Sequence, residues 1–265
     1  MLTAKAKINR PFLKWAGGKQ RILSDIIRHF PEGKRLVEPF VGGGAVFLNT
    51  NFQSYLLSDI NQDLINLYQI LQKEGKDFVN YCKKIFEAMD PTFFYYDVRT
   101  KFNHSCDVRE KSAFFIYLNR YGFNGLCRYN KQGGFNVPQG KNKSFYFPEN
   151  EMNDFYLKAQ NALFKSIDFY ELVKDIKKGD IVYCDPPYYP LTEKRSFTQY
   201  SYQAFDEVQQ KKLADFALEL SKKGVIVIIS NHDTSFTQKI YKNAEIFSIE
   251  APRLINCKPN NRKKV

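Results

Sequence analysis

Five cysteines are too few and too scattered to carry a fold. Cys82, Cys106, Cys127, Cys184 and Cys257 form no Cys-x-x-Cys pair and no Cys/His cluster, which argues against a zinc ribbon. The opening MLTAKAKINRPF lacks the apolar stretch of a secretory leader. With an odd cysteine count, that predicts reduced thiols and a cytoplasmic setting. No run of eighteen apolar residues exists, so a membrane-spanning helix is not expected. No glycine-rich turn ends in Gly-Lys-Ser or Gly-Lys-Thr, which excludes a phosphate-cradling P-loop. Histidine is scarce too: His29 and His104 have no ligand partners at useful spacing, and no metal is expected.

What is present is charge, unevenly distributed. The 265 residues are 43% hydrophobic, enough for one large domain or a core domain with an insertion. Forty basic residues face 28 acidic ones, a net charge of +12. Residues 1–24 contain no acid but six bases: Lys5, Lys7, Arg10, Lys14, Lys19 and Arg21. Residues 111–148 again hold six bases and no acid: Lys111, Arg120, Arg128, Lys131, Lys141 and Lys143. Residues 251–265 add Arg253, Lys258, Arg262, Lys263 and Lys264. The rest of the chain is mildly acidic. Such segregation suits a polyanion, because each neutralised phosphate releases counterions. A merely solubilising surface fits less well, since ten aromatic residues are interleaved with the bases between Phe114 and Phe147. Rings among cations are what base stacking and duplex wedging require.

Hydrophobic patterning predicts a buried strand over Arg35–Phe40, a glycine turn opening a helix, and a second strand over Tyr55–Ser58. Residues 61–121 read as mostly helical. Between 122 and 148 the composition shifts to Gly, Asn, Pro and aromatics, the mark of loops or a hairpin. Strands resume at Asp180–Cys184 and Gly224–Ser230, with an amphipathic helix between them. Strand–helix–strand order with continuous apolar strands implies a parallel sheet covered on both faces. The helical insertion would form a separate lobe.

Two strand ends carry chemistry. After the first strand come Glu38-Pro39-Phe40-Val41-Gly42-Gly43-Gly44, where glycines let a backbone approach a ligand. The next strand ends at Asp59, near the usual ribose-binding position. A tight turn with a helix cap would explain the glycines alone; strand, glycines and acid together point to a nucleoside-type cofactor. The second end is Asp185-Pro186-Pro187-Tyr188. An exocyclic amino group on a base is a poor nucleophile, because its lone pair is delocalised into the ring. A carboxylate and a backbone carbonyl accepting both N–H hydrogens would draw that nitrogen towards a tetrahedral geometry. The prolines fix the backbone and donate nothing, and Tyr188 offers a face for an extruded base. His232, just past the last strand, fits a structural role better than a catalytic one. The Phe93-Phe94 and Tyr95-Tyr96 pairs read as packing within the insertion.

Asp185–Tyr188 resembles the catalytic motif of amino-group methyltransferases that use S-adenosylmethionine. Phe12-Leu13-Lys14-Trp15-Ala16-Gly17-Gly18-Lys19 and Val37–Gly44 resemble the N-terminal and first motifs of the DNA adenine methyltransferase (Dam) family. The likeness continues through Tyr117–Asn130, Phe135-Asn136-Val137-Pro138 and Ser230-Asn231-His232-Asp233, in the family's order and over nearly the whole chain. Gly43 stands where the family often has Ala or Ser, and Phe123 where some relatives have tyrosine.

The resemblance implies an α/β fold: a Rossmann-like methyltransferase sheet with helices on both faces, plus an inserted, mainly helical DNA-recognition domain. The catalytic domain would span 1–61 and 151–265, with the target-recognition insertion at 62–150. It implies S-adenosyl-L-methionine as donor, S-adenosyl-L-homocysteine as product, and double-stranded DNA as partner, with no membrane and no metal. A monomer in solution is expected. Trp15, Lys19, Phe40, Gly42, Gly44, Asp59 and Asp185 match cofactor positions; Asp185, Pro186 and Tyr188 match catalytic ones. Lys14 and Arg128 match residues that each read a guanine. Phe123 matches an aromatic wedge, and Asn124, Leu126 and Pro138 match the DNA interface, with Arg120 beside them. The family's usual target is the adenine of GATC. Two rival readings keep the pocket or the surface alone: a methyltransferase acting on cytosine N4 or on RNA adenine, and a catalytically silent DNA-binding regulator.

Overall fold

The computed structural model describes residues 8–141, 146–190 and 205–250. Lys5, Lys7, Lys143, Phe145 and the basic run at 251–265 lie outside the described residues. Among the described residues, five parallel strands form one sheet in the order β3-β2-β1-β4-β5. They are β1 (Arg35–Glu38), β2 (Ser54–Ser58), β3 (Ala162–Lys165), β4 (Asp180–Cys184) and β5 (Ile226–Ile229). Strand order reverses between β1 and β4, and ligands of open parallel sheets bind outside the carboxyl ends at such a point.

The near-continuous apolar strands are covered on both faces, as the patterning requires. Leu36, Leu57, Ile181 and Tyr183 face one core with Phe47, Tyr68, Phe155 and Phe164. Val37, Leu56, Val182 and Cys184 face the other, built with Leu172 and with Leu213, Phe216 and Leu220 of α8 (Glu207–Lys222). At the amino edge, Arg35 grips Asp180 through Nε at 3.0 Å and through a second nitrogen at 2.5 Å, pinning β1 to β4 away from the carboxyl ends.

The helical segment after β2 contains α3 (Gln62–Glu74), α4 (Lys76–Ala88), α5 (Pro91–His104) and α6 (Val108–Tyr121). Its boundaries are set by caps. Asn61, Asp90 and Asp107 each accept a backbone N–H of the first turn, and Pro91 occupies the first turn of α5, where no N–H is needed. Leu64, Phe78, Tyr95, Phe115 and Tyr117 of this segment belong to the same hydrophobic core as Phe47 and Phe164 of the sheet layer. An amphipathic helix pattern shows that one face is buried but not against what. After α6, single antiparallel bridges pair Gly122 with Gln139 and Tyr129 with Phe135, giving the hairpin-like excursion.

Two strands are shorter than their apolar runs. Gly224 and Val225 close the end of α8, Gly224 at φ 75° and Val225 donating to Leu220 O, so β5 starts at Ile226. The first strand ends at Glu38, and Phe40 already belongs to the turn. No helix among the described residues is long and apolar enough to cross a membrane.

Candidate active site

The glycine turn is built around its missing side chains. Gly42 has φ +46°, and a Cβ there would stand 2.7 Å from Trp15 Nε1; one on Gly43 would meet Trp15 Cβ at 3.1 Å. The indole therefore lies against the turn, and only glycine admits it. Gly44, also left-handed at φ 73°, caps α2 (Ala45–Asn49). The Gly42 N–H donates to Asp59 Oδ2 at 3.1 Å, and its carbonyl accepts from the Tyr68 hydroxyl at 2.6 Å. Asp59 Oδ1 accepts from Asn61 N at 3.0 Å. Burial raises the Asp59 carboxyl, while the N–H groups of Asn61, Gly42 and Ile60 pull it back. The Phe40 ring lies 5.3 Å from Phe169 and 5.6 Å from Phe205.

At the next strand end, Asp185 Oδ1 lies 2.8 Å from Lys19 Nζ, which also donates to Gly17 O at 2.9 Å. The same ammonium stands 4.2 Å from the Tyr188 ring centroid. Burial pushes the Asp185 carboxyl up, offset by the Lys19 charge and by hydrogen bonds from Lys19 and Tyr188. Glu38 sits within Coulombic reach of Asp185. It is 3% exposed, and its Oε1 has no hydrogen-bond partner among the described residues. Burial and the Asp185 charge raise its pKa well above the usual range, against a hydrogen bond from Phe47 N–H. Glu38, Asp59 and Asp185 thus gather at one sheet edge with the buried Lys19 ammonium, and burial raises all three carboxyls.

The two prolines differ. Pro187 O accepts from Gln210 Nε2 at 2.9 Å, whereas no hydrogen bond among the described residues engages Pro186 O. Tyr188 packs edge-on against His232, with centroids 4.9 Å apart. His232 Nδ1 donates to Tyr189 O at 2.6 Å, so this histidine braces the loop.

A second group gathers where the hairpin meets the N-terminal segment. Lys14 N donates to Asn119 Oδ1 at 2.8 Å, and Asn119 Nδ2 donates to Lys14 O and Gly125 O. Lys14 Nζ donates to Arg120 O at 3.0 Å. Burial, then Arg120, lowers the Lys14 pKa. Arg120 reaches Phe12 O and lies over the Tyr146 ring. Asn124 is the one non-glycine residue with positive φ among the described residues, at 53°. It turns the chain so that Phe123 is left 42% exposed, with Phe123 N donating to Pro138 O at 2.8 Å. Leu126 packs on the core. Arg128 is held by Asn136, through Nε to Oδ1 at 2.7 Å and through a second nitrogen to the carbonyl at 3.1 Å. Residues 12–19 thus touch both groups, Lys14 at the hairpin and Trp15 and Lys19 at the strand ends.

Sequence reasoning assigned no role to Glu38, Asn119 or Gln210. The signal for Gln210 was a polar side chain on the apolar stripe of α8 with Leu213, Phe216 and Leu220; Asn119 interrupts a buried run in α6 in the same way. The aromatic pairs at 93–96 divide: Tyr95 is buried as expected, but Phe93 is 76% exposed, and Phe94 and Tyr96 are exposed too.

Residues 15–255 match the profile of the D12 class of N6 adenine-specific DNA methyltransferases. The chain is 48% identical over 261 residues to a DNA adenine methylase of Haemophilus influenzae, covering 97% of this chain and 91% of that one. It is 47% identical to one of Vibrio cholerae and 46% identical to one of Escherichia coli K12, each covering 98% of this chain and 94% of the relative. The strand-end carboxylates and glycine turn thus sit in a chain matched along almost its whole length, and it belongs to the D12 class of N6 adenine-specific DNA methyltransferases.

Proposed function

We propose that the chain methylates the adenine of GATC in duplex DNA, using S-adenosylmethionine and swinging the target base out of the helix. The observation that carries this reading is the pair of acceptors at the end of β4. Asp185 supplies a half-buried carboxylate, and Pro186 supplies a carbonyl that no described residue engages. Two acceptors match the two N–H bonds of an exocyclic amine, and both hydrogens must be held if the nitrogen lone pair is to leave the ring plane. Tyr188 stacks on the base.

The donor would be held by Trp15, Lys19, Phe40, Gly42, Gly44, Asp59 and Asp185. The fit is chemical: the Asp59 and Asp185 carboxyls and the unpartnered Glu38 oxygen supply acceptors at one sheet edge for a ligand carrying an ammonium and ribose hydroxyls. When bound, that donor supplies an electrophilic methyl carbon. The protein contributes alignment and electrostatics, and the amine's spare proton passes to water, so no general base and no metal are invoked.

On the DNA side, Lys14 and Arg128 each read a guanine. Arg128 suits a bidentate contact to O6 and N7 because Asn136 already orients its guanidinium. Phe123, exposed on its left-handed turn, enters the stack beside the extruded adenine; Arg120, Asn124, Leu126 and Pro138 line the interface. The region 62–150 is the target-recognition part, and the chain works as a monomer.

Labelled-methyl transfer to duplexes with each base of GATC changed in turn tests the target, and 2-aminopurine fluorescence at the adenine tests extrusion. Asp185→Ala should abolish transfer while DNA binding persists. Equal labelling of all altered duplexes would overturn the GATC assignment, and full activity in Asp185→Ala the catalytic one.

A further inference from the structure

Gln210 is fully buried at 0% exposure, on a helix face otherwise made of Leu213, Phe216 and Leu220. A buried amide on such a stripe is costly unless both of its ends are satisfied. Here both are. Nε2 donates to Pro187 O at 2.9 Å, and Oε1 accepts from Asn231 Nδ2 at 2.9 Å. Asn231 Oδ1 in turn accepts from Tyr189 N at 3.0 Å and from His232 N at 2.9 Å. A single amide pair thus ties the loop after β4 to the loop after β5. Each amide has one workable orientation, because a flip would set oxygen against oxygen.

We propose that Gln210 is a positioning residue for methyl transfer: by holding Pro187 O from behind, it fixes the peptide geometry that turns Pro186 O towards the amine. The proposal rests on the assignment of Asp185 and Pro186 given above. Of two adjacent carbonyls on a rigid Pro-Pro unit, one is anchored and the other is left to the substrate. Gln210 touches neither DNA nor donor in this account, so its loss should fall on kcat rather than on binding.

Two variants test it, with steady-state kinetics from mildly acidic to mildly alkaline pH. Gln210→Leu keeps the volume and removes the donor. It should lower kcat roughly 10- to 100-fold, the usual consequence of a small misplacement of reacting groups, with KM for DNA and donor unchanged. Gln210→Glu carries a chemical signature. Ionised, it presents only acceptors to Pro187 O; protonated, it again offers one donor and one acceptor, and burial raises its pKa. Its kcat relative to the parent should therefore climb as pH falls. A merely structural role would give no such profile.

Unchanged kcat in Gln210→Leu, a pH-independent ratio for Gln210→Glu, or a loss lying wholly in KM would each overturn the proposal. Asp185→Ala run alongside separates the two levels. If that variant is inactive while Gln210→Glu behaves as the parent, only the positioning role falls; if it stays active, the catalytic assignment falls first.

Discussion

Lys19 Nζ stands 2.8 Å from Asp185 Oδ1 and 4.2 Å from the centroid of the Tyr188 ring. One ammonium thereby steadies the carboxylate and the ring that are proposed to receive the base. Ionised, Asp185 is the stronger acceptor for an N–H, and Lys19 is the strongest influence keeping its pKa down against burial. Lys19→Met should therefore move the acidic limb of the kcat/KM profile to higher pH, since activity would be lost through a raised Asp185 pKa. It should also raise KM for the donor. An acidic limb at the parent's position would show that the ion pair does not control Asp185.

Glu38 predicts a stability change with a definite sign. Between its ordinary value of 4.5 and its raised native value, the folded state holds a proton that the unfolded chain has released. Stability therefore falls as pH rises through that window. Glu38→Gln removes the burden while keeping an acceptor for the Phe47 N–H. Calorimetry should show a higher Tm than the parent at neutral pH, by about 2–4 °C for each kcal/mol gained, with the difference closing in acid. A lower Tm at neutral pH would sink the idea.

Arg128→Ala should relax discrimination at one guanine at a cost of about 1–3 kcal/mol on the cognate duplex. Asn136→Ala, which removes the side-chain acceptor from Arg128 Nε and keeps the backbone one, should give a smaller loss at the same base. Methyl incorporation into single-position variants of the target site reads both. A uniform loss across all duplexes would reassign Arg128 to the phosphate backbone.

Gly125→Ala puts a Cβ 2.3 Å from Lys14 Cβ at a position with φ +63°. The turn must shift, carrying Lys14 and Phe123 with it. Asn119→Leu strips the hydrogen bonds from Lys14 N, Lys14 O and Gly125 O, costing about 1–3 kcal/mol for each buried group left unpaired. Both variants should weaken duplex binding in an anisotropy titration while donor binding, measured calorimetrically, holds. Equal loss of the two would mean that the staple supports the whole fold rather than the hairpin.

The strand ends were legible because period and composition change there abruptly. Val182 lies in the apolar run Ile181–Cys184 and Val37 beside Leu36, and a proline follows each strand within two residues, at 39 and 186. The Lys19–Asp185 pair was not legible as a contact, since the two residues come together only through tertiary packing, although each was a candidate by resemblance. β3 was missed because only Phe164 of its four residues is fully buried, so it carries neither alternation nor a continuous apolar run. Cytosine N4 and RNA remained open acceptors on the residues alone, and the family membership closes that choice.

The shared interior of sheet and insertion has a mechanical corollary. Tyr95 and Phe115 lie in the same packing as Phe47 and Phe164, so displacing the helices from the sheet would have to open buried aromatic contacts. The Phe123 turn and the Asp185 loop are thereby anchored to one interior, and a shift of either relative to the other would have to disturb it.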